Sequence, residues 1–213
     1  MPTSRTYGDA CGIARALDVV GERWALLVVR ELILGPQRFS DLRRALPGVS
    51  SNMLTDRLRE LESHGVVQQR RLPPPAASVV YDLTDSGREL EPIVLALGGW
   101  GLRVPLPPAP VHLSATSVLL FLRGSLRPNP QAAVATYRFE LTNQVWTVRT
   151  QDGQVHIEPG EPAHPHAGLR TDPATLNSLL DGSTSLATAL TNGAANLTGD
   201  ESALRWLLGA VTP

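Results

Sequence analysis

Between Asn52 and Arg59 the chain holds four side chains able to read the edge of a base pair. An arginine grips guanine through two parallel hydrogen bonds, an asparagine does the same for adenine, and an acid accepts from cytosine. Asn52, Thr55, Asp56 and Arg59 follow one another at helical spacing, with Ser63 continuing the same side and Thr55 at its edge. Leu54, Leu58 and Leu61 form the opposite stripe. Asp56 has two readings, an acceptor for cytosine or an orienter of Arg59. Ser50 and Ser51 stand where the helix begins, so they could donate to phosphate beside free backbone N–H groups. Arg57 lies near the edge of the leucine stripe and joins the DNA-contacting set, suited to a phosphate or to an intramolecular partner. An ordinary solvated amphipathic helix shares this period, but its polar face is usually richer in long Glu and Lys chains.

Such a helix needs a scaffold beneath it and a turn before it. Ile13 to Val20 is apolar-periodic and ends at Gly21. Trp24 to Leu34, WALLVVRELIL, is apolar nearly all round and predicts a buried central helix stopped by Gly35-Pro36. Ser40 then caps a short helix, DLRRAL, with Phe39 just before the cap, and Pro47-Gly48 breaks it. Ser50 or Ser51 caps the next. A short helix, a tight turn and a second helix make the helix-turn-helix arrangement. Val66 to Leu72 and Val79 to Leu83 read as the two strands of a wing. The tip between them, PPPAAS, lacks three ladder donors and any cation, so Arg70 and Arg71 at its base must supply any backbone contact. Arg38, Ser40, Arg43 and Arg44 are further DNA-contact candidates. Thr84 caps a last helix running to about Arg103, whose Leu90, Ile93, Val94, Leu97 and Trp100 could pair with a second copy.

VPLPPAP, with four prolines, predicts a semi-rigid linker. The expected division is residues 1–104, a linker at 105–112, and a second domain at 113–213. Beyond the linker the pattern is α+β, with strands near 134–141, 145–150 and 155–158 joined by Thr142-Asn143-Gln144 and Asp152-Gly153 turns. The strands are expected to be antiparallel, with helices covering one face. Leu119, Phe121, Trp146, Leu176, Leu179 and Trp206 are candidate liners of an apolar pocket, although a domain of about 100 residues also needs such side chains for its own core. His156, His164 and His166 fit no tetrahedral ligand spacing, so neither metal nor cofactor is expected.

The bulk numbers exclude few functions. The net charge is −1, and 42% of residues are apolar against 18% charged, so the chain can bury a core. All 19 basic residues are Arg, which a GC-rich coding bias explains, although Arg also suits phosphate and guanine. Cys11 is the single cysteine, so no internal disulfide forms and a reducing compartment fits. The first residues hold no apolar signal core, and no run reaches membrane-span length. A cytoplasmic protein is expected.

Several motifs recur here in a specific order: Cys11 before ALDVVGERW, then GPQRFSDLRRALPGVS, MLTDRLRELESHGVV, and VVYDLTDSGREL with a closing GGWG. In this series residues 11–104 resemble the HxlR family of winged helix-turn-helix transcription regulators, close to MarR. The resemblance implies a homodimer on a palindromic operator of double-stranded DNA, with the helix at Ser51–His64 in the major groove. It also raises redox or electrophile sensing at Cys11, which relatives place at an equivalent cysteine. A proline often follows that cysteine in the family, whereas Gly12 follows here, and a half-buried structural role for Cys11 is expected. YRFELTNQVWTVRTQDGQVHIEPGE, TDPATLNSLLDG and NLTGDESALRWLL resemble a sterol-carrier-protein domain. That resemblance implies a hydrophobic small-molecule effector. The expectation is a ligand-modulated regulator, most simply a repressor, not an enzyme. A lipid carrier or enzyme with a DNA-binding module is the remote alternative.

Overall fold

The computed structural model describes residues 6–73, 78–106, 112–125 and 134–211. The chain divides into two compact units, Met1–Pro107 and Pro108–Pro213. Residues 74–77 of the expected wing tip and 107–111 of the expected linker lie outside the described residues.

The first unit opens with α1 (Gly12–Val20) and α2 (Ala25–Leu32). Ala25, Val28, Val29 and Leu32 of α2 are buried, but Leu27 is exposed, so this helix has one wet edge and is not covered all round. Gly35, at φ 135°, ends the segment in a conformation that a side chain would oppose. Next comes α3 (Phe39–Ala45). Ser40 is not its cap: the Arg38 carbonyl accepts from the N–H groups of Asp41 and Leu42, which puts Arg38 in the flanking position and Ser40 inside the first turn. α4 (Ser51–Ser63) is capped by Ser50, whose Oγ accepts from Met53 N–H at 3.2 Å. It ends where Gly65 turns left-handed at φ 70° and Val66 N–H reaches back to the Leu61 carbonyl.

β1 (Val67–Arg71) and β2 (Val79–Leu83) pair antiparallel, Val67 opposite Leu83. Gln37 adds a one-residue bridge to Tyr81, tying the wing to the segment before α3. The single helix expected after Thr84 is instead two, α5 (Asp85–Arg88) and α6 (Glu91–Gly101). Pro92 has no N–H for the Arg88 carbonyl, so the first helix stops and a second begins. Gly87 is required there, since a Cβ would lie 2.0 Å from the Val66 carbonyl oxygen.

The second unit comprises α7 (Ala115–Ser125), β3 (Ala135–Leu141), β4 (Gln144–Gln151), β5 (Gln154–Pro159), β6 (Ala167–Thr171), α8 (Pro173–Leu180), α9 (Leu186–Thr191), β7 (Ala195–Gly199) and α10 (Glu201–Gly209). The sheet order is β5-β4-β3-β6-β7. Both expected turns have positive φ at their two central residues, Thr142 and Asn143, then Asp152 and Gly153, the geometry that suits tight hairpins. One expectation fails: β3 and β6 run parallel, so the sheet is mixed. After β5 the chain crosses back to the start of β3. There His166 N–H donates to the Thr136 carbonyl while Thr136 N–H donates to His166 Nδ1 at 3.0 Å. That landing point fixes β6 in the same direction as β3. Tyr137, Phe139, Trp146, Val148 and Leu169 face the helices and are buried. The other face carries ion pairs, with Arg138 bridging Glu140 and Glu161.

Candidate nucleic-acid interface

α4 presents Asn52, Asp56 and Arg59 to solvent, while Leu54, Leu58 and Leu61 are sealed beneath it. The Arg59 side chain is 75% exposed and lies 3.9 Å from the Asp56 carboxylate. At that spacing Asp56 biases Arg59 without immobilising it. Thr55 is half-buried and donates its hydroxyl to the Ser51 carbonyl at 2.9 Å, leaving its oxygen able to accept. Among the described residues the Asn52 side chain has no hydrogen-bond partner, so its amide is available in full. Burial pushes the Tyr81 hydroxyl up, Glu62 adds to this, and the Arg59 cation opposes it.

The phosphate candidates separate by how committed they already are. Arg43 Nε donates to Ser51 Oγ at 3.2 Å, linking α3 to the first turn of α4. Arg38 Nε donates to Ser78 Oγ at 3.1 Å, linking the entry of α3 to the wing. Arg44 pairs with Asp41 at 3.2 Å, and Ser40 is exposed beside it. Arg70 is held by the buried Asp82 carboxylate, which also takes Arg88 at 3.0 Å. Arg71 is exposed and has no side-chain partner among the described residues. Arg57 differs from the others. It is buried, paired with Glu60 and 3.7 Å from Glu22, so its guanidinium is already committed within the fold.

Cys11 is exposed and occupies the flanking position before α1, its carbonyl accepting from Arg15 N–H at 3.0 Å. The half-buried expectation is thus corrected, because no element among the described residues covers this N-terminal turn.

In the second unit the pocket candidates do not converge. Leu119, Trp146 and Leu176 are sealed in the core, Phe121 is half-buried, and Trp206 is 37% exposed. Leu179 alone of the six lines the 370 Å³ groove between α8, α9 and α10, with Leu180, Leu186, Arg205 and Leu208. Trp146 Nε1 is buried, with no hydrogen-bond partner among the described residues. Among the described residues no group of three or more His, Cys, Asp or Glu is placed to hold a metal. No helix among them is long and apolar enough to cross a membrane. The pairings of Asp82 and Glu22 carried no sequence signal, since they join residues on different elements.

Helices α3 and α4, the turn between them and the β1–β2 wing define a winged helix-turn-helix protein. Residues 19–105 match the HxlR-like helix-turn-helix family, and residues 119–205 match the SCP-2 sterol transfer family. The HTH-type transcriptional regulator YvaP of Bacillus subtilis is 41% identical over 86 residues, 40% of this chain and 80% of that protein. The regulator sll1512 of Synechocystis is 41% identical over 90 residues, 42% of this chain and 67% of that one. The oxidized form of the redox regulator HypR aligns with 46% of this chain and all of its own, at 38% identity and a TM-score of 0.43. The chain belongs to the HxlR-like family of transcriptional regulators and carries an SCP-2 domain behind its DNA-binding unit.

Proposed function

We propose that this regulator is a homodimeric repressor that binds a palindromic operator and releases it when a hydrophobic small molecule occupies the SCP-2 unit. The carrying observation is the solvent-facing set Asn52, Asp56 and Arg59 on a helix whose N-terminus is capped by Ser50. Asn52, Thr55, Asp56 and Arg59 contact base edges, each good pair worth about 1–3 kcal/mol of discrimination. Ser50, Ser51, Arg38, Ser40, Arg43, Arg44 and Arg71 contact phosphates, with Arg70 joining if DNA draws it from Asp82. Supporting the dimer, Ile93, Leu97 and Trp100 of α6 are exposed in the single chain.

The match of residues 119–205 to the SCP-2 sterol transfer family and the groove between α8, α9 and α10 support the effector reading. Effector and operator are coupled only if the effector prefers the DNA-incompetent state, and a tenfold preference supplies about 1.4 kcal/mol. Gel-shift titration at matched salt tests the DNA reading: Arg59→Ala binding the operator as tightly as wild type would refute the assignment of α4. Native mass spectrometry of protein purified from its own host tests the effector, by whether an apolar compound is retained.

A second reading rests on Cys11, whose thiol is exposed at the start of α1. There an oxidant or electrophile switches DNA binding through this sulfur. If Cys11→Ser responds to oxidant as wild type does, that reading is excluded.

A further inference from the structure

The junction between α1 and α2 touches α4 at one point and the turn before it at another. Glu22 lies 3.7 Å from the guanidinium of Arg57, on the buried side of α4. Two residues on, Trp24 holds a left-handed backbone at φ 78°, a region that bulky side chains avoid. Such a conformation persists where the surroundings over-determine it. Here the ring projects to the turn before α4: a Cβ built on Gly48 would lie 2.8 Å from Trp24 Cη2 and 3.3 Å from Cζ2. Arg23 stacks over the same ring at 5.1 Å. Gly48 is two residues from the capping Ser50, so the ring seats against the segment that aims the helix.

We propose that Glu22, Trp24 and Gly48 form a clamp that sets the axial angle of α4, and that they act as positioning residues for base recognition. This rests on α4 being the helix that reads DNA. Arg57 and Arg59 project from different sides of the helix, so the contact that fixes one sets where the other points. At a helix radius of about 5–6 Å, a turn of about 10° moves a side chain by roughly 1 Å. That is enough to break a bidentate contact to a base, whose hydrogen bonds tolerate only about 0.5 Å. Phosphate contacts, made by flexible arginines, absorb the same shift. The clamp therefore governs discrimination between sequences more than affinity for DNA in general.

The test uses the full chain and the duplex that wild type selects from a random pool, compared with a scrambled duplex at fixed salt. Gly48→Ala pushes the ring away and is expected to reduce the ratio of the two affinities by about fivefold or more, while the scrambled duplex changes less than about twofold. Trp24→Phe in the Gly48→Ala background shortens the ring and restores the ratio, which a general loss of stability would not do. Glu22→Gln reduces the ratio and Glu22→Asp recovers part of it. If Gly48→Ala shows no cooperative thermal transition, the Glu22 pair decides, because that side chain is surface-exposed. Wild-type ratios in Gly48→Ala and Glu22→Gln, with Arg59→Ala still losing discrimination, overturn the clamp alone. An unchanged ratio in Arg59→Ala overturns the reading of α4 itself.

Discussion

Arg88 donates to the carboxylate of Asp82 at 3.0 Å, and Arg70 closes on its other oxygen from the neighbouring strand. Asp82 is 1% exposed, so one buried anion joins the wing to α5. Breaking a buried pair costs about 3–5 kcal/mol, but both arginines are about half-exposed and rehydrate, so about 1–3 kcal/mol is expected. Asp82→Asn should lower the thermal midpoint of the first unit by about 4–8 °C per kcal/mol lost, measured by calorimetry.

Arg71 and Asn52 should fail in different ways. Arg71→Ala removes an uncommitted cation at the wing base, so affinity falls for all sequences and the log–log salt slope shrinks by about 1. Asn52→Ala should leave that slope unchanged while relaxing preference at one base pair by about 1–3 kcal/mol. Fluorescence anisotropy over a salt series separates the two.

Trp100 is 62% exposed on α6, a helix with no buried residue in the single chain. Trp100→Glu should dissociate the dimer, read as halved mass by light scattering, and should weaken binding to a two-half-site operator while sparing the fold of the monomer.

Asp172 flanks α8 and accepts from the N–H and hydroxyl of Thr175 at 2.9 and 2.7 Å. Burial alone would raise its carboxyl, but those bonds and the N–H groups of Ala174 and of Asp172 itself hold it below its ordinary value. A carboxyl depressed in the folded state stabilises fully above its unfolded value and loses that contribution as pH falls through the folded one. The second unit should therefore weaken on acidification below about pH 4, and Asp172→Ala should flatten that slope in pH-dependent denaturant melts.

Much of the interface was legible from local pattern. Leu54, Leu58 and Leu61 specify which side of α4 is buried, because a 3.6-residue period ties burial to spacing, and the polar side follows by exclusion. Ser50 and the two tight turns were readable because cap and left-handed positions demand particular residues. The break before α6 is written at Pro92, although the apolar run after it has the period of one continuous helix.

Sequence alone determined the winged helix-turn-helix and α+β character of the two family-matched regions and the face of α4 that meets solvent. Tertiary structure decided which arginines are free to use it. Arg57, Arg59, Arg70 and Arg71 are alike in sequence, yet Glu22, Glu60 and Asp82 take two of them and leave Arg59 and Arg71 outward. It also decided that β6 runs parallel to β3. Ion pairs and strand pairings join residues distant along the chain, and their partners are set by where the fold brings them, which no local period records.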